Sequence, residues 1–196
     1  MRDAYPELAL AVDANQSYTY DQLDMVAAYN DLNLLCIEEP FSMTNLTTYK
    51  AWKESLPNWP ITTSICLDES ILSYDDLSYA IECRLIDVLN VKVGRLGGLI
   101  QTRAAILRCR EAGIPYWIGS MVESGISKIL HVQLAALGDT YMAGDLSDSS
   151  RYFEHDLINP AILFTDGSMQ VPNGAGLGVD VLDNRIEEYT VEKRTL

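Results

Sequence analysis

Positive charge is scarce in this sequence. Lys and Arg total 14 against 28 Asp and Glu, a formal charge of −14 over 196 residues. Polyphosphate chains and anionic bilayers repel such a surface, which argues against nucleic acid and membrane as partners. Cysteine is sparse as well. Cys36, Cys66, Cys83 and Cys109 form no CxxC pair, so neither a disulfide framework nor a zinc site is indicated. No apolar run approaches the roughly 18 residues of a membrane helix, and the first residues lack the apolar stretch of a signal peptide, so a cytoplasmic location is expected. The GxGxxG and P-loop patterns that cradle phosphates are missing; Gly94 to Gly98 reads as a strand-to-helix turn. With 48% hydrophobic residues and 21% charged ones, the chain has the balance of a packed globular protein.

What is present is alternation. Apolar, β-rich runs fall at 8–13, 34–39, 64–69, 88–93, 116–121 and 141–146, and most are continuous, as in strands buried on both faces. Amphipathic segments lie between them at 19–33, 44–56, 73–84, 99–112 and 125–137. Two open on Thr19 and Ser73 with acidic first turns, and the fourth closes at Gly113. This is a succession of βα units on a parallel sheet.

The polar residues that interrupt the strands recur with a period. Asp13, Glu38, Asp68, Lys92, Ser120 and Asp145 each stand near a strand's carboxyl end, 24 to 30 residues apart. In a (β/α)8 barrel those ends open onto one face, where residues distant in sequence converge on one site. A doubly wound sheet is the rival, but it draws on fewer strands. Six units are too few to close eight strands. The expected organisation is a partial barrel over residues 1–150 and a C-terminal segment over 151–196, rich in turns from Asp166 to Gly178.

Asp13, Glu38 and Asp68 place three carboxylates on consecutive strand ends. Clustered anions repel unless a cation lies between them, and an all-oxygen set suits a hard ion such as Mg²⁺. The alternative is that each caps a helix or forms a local ion pair. Asn15 and Glu69 are candidates to support the ligands from behind. Lys92 interrupts an apolar strand at the same depth, which suits either an acid/base group or a structural ion pair.

These residues lie in motifs that resemble the enolase superfamily: Leu10-Ala11-Val12-Asp13-Ala14-Asn15, Ile37-Glu38-Glu39-Pro40, Leu67-Asp68-Glu69-Ser70 and Asn90-Val91-Lys92-Val93-Gly94-Arg95-Leu96-Gly97-Gly98. The lysine resembles that of the muconate-lactonizing subgroup. Gly119-Ser120-Met121-Val122-Glu123-Ser124-Gly125, with Gly144-Asp145-Leu146-Ser147 and Arg151-Tyr152-Phe153, is similar to o-succinylbenzoate synthases and N-acylamino acid racemases. The resemblance implies an α/β fold, the TIM-type barrel of that superfamily, here incomplete at about strands 3 to 8 plus a tail that packs back toward a capping region. It implies Asp13, Glu38 and Asp68 as ligands of Mg²⁺, with Mn²⁺ able to stand in, Lys92 as the acid/base or cationic residue, and Gly119, Ser120 and Met121 along a small carboxylate substrate. The implied reaction is dehydration of a cyclohexadiene carboxylate in menaquinone biosynthesis, or racemisation of an N-acylamino acid; both begin with loss of a proton next to a carboxylate.

The family's Lys-x-Lys strand and N-terminal cap are not among the 12 residues before Asp13. The chain is therefore expected to be the C-terminal part of a longer enzyme, inactive alone and prone to self-association through open barrel edges. His131 and His155 are expected to be surface or packing residues.

Overall fold

A computed structural model describes residues 1–194. The chain divides into two compact units, one of residues 1–91 and 95–117, the other of residues 92–94 and 118 onward.

The first unit is built on a sheet whose strands run in the order of the sequence, β1 (Val12–Asp13), β2 (Ile37–Glu38), β3 (Ile65–Leu67), β4 (Val88–Val91) and β5 (Tyr116–Ile118). β1 to β4 pair in parallel, with Asp13 opposite Glu38, Glu38 opposite Cys66, and Leu67 opposite Leu89. β2 to β5 are buried throughout, which explains why their sequences are continuous apolar runs. The strands are shorter than the runs that encode them because the backbone turns away early. Asn15 and Gln16 adopt positive φ after β1, and Glu39 does so after β2 (φ 37°).

Segment 19–33 is not one helix. A 3-10 turn at Tyr20–Gln22 leads into α1 (Leu23–Ala27), and a second 3-10 stretch, Ala28–Leu32, ends at Asn33 with φ 47°. Only Val26 of α1 is buried, and Asn30 is drawn off to the 60–63 loop, donating to Pro60 O and accepting from Thr62 and Thr63 N–H. The other helices follow the sequence signals. α2 (Leu46–Ser55) is capped by Asn45, α3 (Tyr74–Glu82) by Ser73, and α4 spans Leu99–Ala112. α4 closes at Gly113 in the left-handed conformation (φ 69°), which frees Ile114 N–H to return to Cys109 O. Tyr20, Phe41, Tyr49, Trp52 and Trp59 pack ring on ring, Tyr20 and Trp52 stacked at 4.1 Å. Trp52 and Trp59 thus serve packing.

The second unit carries α5 (Gly125–Ala135). The 141–146 run does not become a strand; only Asp145 bridges to Gly119, its N–H donating to Ile118 O. Gly144 lies so close to the Ile118 carbonyl that a Cβ there would stand 2.7 Å from it. The tail forms a small antiparallel pair, β6 (Ile158–Asn159) with β7 (Asp180–Val181), and a short α6 (Asp183–Tyr189) that the sequence did not announce. Its apolar residues Ile158, Ile162, Phe164, Met169 and Val171 pack on Ile129 and Val132 of α5. No helix among the described residues is long and apolar enough to cross a membrane.

Candidate active site

Register alone brings the three carboxylates of the first unit to one face. Asp13 and Glu38 are direct partners across β1 and β2, and Glu38 is opposite Cys66. Asp68 lies two residues beyond Cys66, so its side chain returns to the face of Glu38. Their exposures differ: Asp13 is exposed, whereas Glu38 and Asp68 are buried at 5% and 1%.

Each is held by a donor. Asn15 gives Asp13 both its backbone N–H (2.9 Å) and its side-chain amide (2.6 Å), and the amide also reaches Glu69 at 3.4 Å. Asn15 thus lies between Asp13 and Glu69. Asn90, on β4, donates its amide to Glu38 Oε1 at 2.6 Å. Asp68 forms an ion pair with the Arg95 guanidinium. Burial pulls Arg95 below its ordinary value, while Glu39, Glu38 and Asp13 push it back up. One guanidinium therefore experiences the whole acidic cluster.

Among the described residues no three acidic, histidine or cysteine side chains are gathered closely enough to hold a metal ion, and Asp68 is turned to Arg95. The donors are nevertheless of the right kind. They are all oxygen, and two buried oxygens beside them, Asn90 Oδ1 and Glu69 Oε2, have no hydrogen-bond partner among the described residues. A hard divalent ion suits such a set.

Glu39 and Arg95 are the residues whose importance here exceeds what their motifs indicated. The positive φ at Glu39 turns its fully buried carboxyl inward, where it accepts from Asp68 N–H (2.9 Å), Ser70 N–H (2.6 Å) and Ser70 Oγ (2.9 Å). It so clamps the loop that carries Asp68. Burial pushes its carboxyl up to about 7, against the pull of the Ser70 hydrogen bonds. Two adjacent acids after an apolar strand were the available signal.

In the second unit Lys92 directly follows the end of β4. Gly119 bridges to Asp145, Ser120 Oγ donates to Asp145 O at 2.9 Å, and Met121 is 42% exposed. His155 is exposed as expected, but His131 is more than a packing residue. It is fully buried, accepts from Val93 N–H at 3.1 Å and stands 3.1 Å from Glu123.

The family model described as Enolase C-terminal domain-like matches residues 1–185. The chain is 35% identical over 190 residues to an o-succinylbenzoate synthase of Geobacillus kaustophilus, covering 97% of this chain and 49% of that protein. It is also 35% identical over 194 residues to an N-succinylamino acid racemase of Thermus thermophilus, covering 99% and 51%. A crystal structure of an enolase-superfamily member from Enterococcus faecalis superposes with a TM-score of 0.85 at 31% identity, over 96% of this chain and 50% of that one. The chain spans about half the length of the curated relatives it matches.

Proposed function

Because the chain belongs to the enolase C-terminal domain-like family, we propose that it is the C-terminal part of a Mg²⁺-dependent enzyme that removes a proton next to a carboxylate. The leading activity is o-succinylbenzoate synthesis, the dehydration of 2-succinyl-6-hydroxy-2,4-cyclohexadiene-1-carboxylate in menaquinone biosynthesis. The observation that carries the reading is the in-register placement of Asp13, Glu38 and the following Asp68 on one face of the sheet.

Asp13, Glu38 and Asp68 would hold Mg²⁺, with Mn²⁺ as a substitute, and Asn15, Asn90 and Glu69 would orient them. Bound there, the ion supplies positive charge to the substrate carboxylate as a second negative charge develops on it. Lys92 takes or delivers the α-proton at Nζ. In dehydration the electrons of the broken C–H bond expel the ring hydroxyl, which leaves as water once protonated, and the ring becomes aromatic. Gly119, Ser120 and Met121 would line the substrate.

A second reading, N-acylamino acid racemisation, is supported by the racemase relative at the same 35% identity as the synthase. It uses the same proton abstraction, with the proton returned to the opposite face. A third reading, a catalytically silent chain that binds metal or associates with itself, is favoured by the edge position of β1 in the sheet. The test is an assay with Mg²⁺ of this chain and of a longer protein that carries it, using both substrates. Dehydration by the longer protein, abolished by Lys92→Ala, is the expected outcome; rapid racemisation without dehydration would move the assignment to the racemase. Turnover by the 196-residue chain alone would overturn its expected inactivity.

A further inference from the structure

Lys92 and Val93 lie beyond the last residue of β4, Val91, where the chain has left the assigned strand. Val93 is buried, and its N–H must find an acceptor or remain unsatisfied at a cost. The acceptor is a side chain from α5: Val93 N donates to His131 Nε2 at 3.1 Å. An accepting ring nitrogen carries no proton, so the ring proton of neutral His131 sits on Nδ1. That nitrogen stands 3.1 Å from Glu123 Oε2, and neither atom has a hydrogen bond of good geometry among the described residues, so each is the nearest group available to the other.

Glu123 is suited to fixing this tautomer. Burial pushes its carboxyl up, but hydrogen bonds from His131 and Ser127 and the charge of Lys128 outweigh burial and hold it below its ordinary value. The carboxylate lies 3.1 Å from Nδ1 and favours a proton there, which leaves Nε2 free to accept from Val93. The bonded N–H belongs to the peptide that joins Lys92 to Val93, so its orientation sets the direction in which the Lys92 side chain leaves the backbone.

We propose that His131, its tautomer set by Glu123, is a positioning residue for Lys92. The inference rests on the reading of Lys92 as the acid/base group, and it adds what aims that group. Displacement of a reacting group by about 1 Å is enough to cost roughly 100-fold in rate, so one anchored peptide matters.

The test needs no turnover. In the 15N-histidine-labelled chain, long-range proton–nitrogen spectra should show His131 with a protonated Nδ1 and an unprotonated accepting Nε2. A proton on Nε2 would overturn the proposal. Trinitrophenylation of Lys92, followed by mass mapping and normalised to exposed Lys50, should accelerate about fivefold in His131→Leu, which leaves the Val93 N–H without its acceptor. His131→Gln, whose amide oxygen can accept from Val93, should bring the rate back to within about twofold of wild type. Loosening of the fold alone would speed both variants alike. An unchanged Lys92 rate in a folded His131→Leu, or no rescue by glutamine, would overturn the proposal. Should His131→Leu fail to fold, Glu123→Gln replaces it: a mixed His131 tautomer with faster Lys92 labelling supports the assignment, and an unmixed, unaltered one refutes it. Lys92→Ala in the longer protein separates the premise, because unimpaired α-proton exchange in that variant would remove the acid/base role while leaving the labelling result intact.

Discussion

Replacing Arg95 would leave Asp68, 1% exposed, without its guanidinium partner. Removing one member of a buried pair takes compensating charge from the other, so Arg95→Met should lower stability in EDTA by about 3 kcal/mol, measured by urea unfolding. If Asp68 is a metal ligand, saturating Mg²⁺ should recover part of that loss; no recovery would count against the ligand assignment. Thiol chemistry follows burial in the same way. Cys36, Cys66 and Cys109 are buried and Cys83 is partly exposed, so a thiol reagent at neutral pH should label Cys83 alone until the chain is unfolded. Burial pushes the Cys109 thiol up from 9.0 to about 12. An acid whose folded value is raised contributes stability that is complete below its unfolded value and is lost as pH rises through the folded one. Wild type should therefore lose stability above pH 9.0 in alkaline urea titrations, and Cys109→Ala should flatten that fall.

The helices owe their ends to single residues. Ser73 Oγ accepts from Asp76 N–H at 3.1 Å and donates to the Asp76 carboxylate at 2.7 Å, so Ser73→Ala should cost about 1 kcal/mol in thermal or urea unfolding. Gly125 opens α5 where space is tightest: its N–H donates to Asp156 Oδ1 at 2.8 Å, and a Cβ would stand 2.5 Å from Ile158 side-chain carbons. Gly125→Ala should destabilise by about 2 kcal/mol, seen as a lower Tm. Helix α4, with a long periodic segment and a closing glycine, was legible from sequence to the residue. Segment 19–33 was not, because its helical pattern competes with the pull of Asn30 toward the 60–63 loop.

At the scale of the molecule the sheet has a first strand, β1, with no partner on its outer side within the described sheet order. Such an edge is a template for another strand. The chain is therefore expected to self-associate, and light scattering that finds only monomer at moderate concentration would count against this. A division at residue 150, with 151–196 packing toward a cap, is our proposal for how a longer enzyme carrying this chain would be organised.

The sequence by itself determined the parallel βα succession and the face shared by Asp13, Glu38 and Asp68. Both follow from local periodicity: apolar runs set the strands, and a fixed position near each strand end sets the face. Tertiary structure alone decided which groups meet these carboxylates. Arg95 reaches Asp68 across 27 residues and Asn90 reaches Glu38 across 52. It also decided that His131 lies against Val93, 38 residues away. Such pairings depend on side-chain reach and on which buried donors would otherwise lack acceptors. Those are properties of the folded packing, and no spacing in the sequence encodes them.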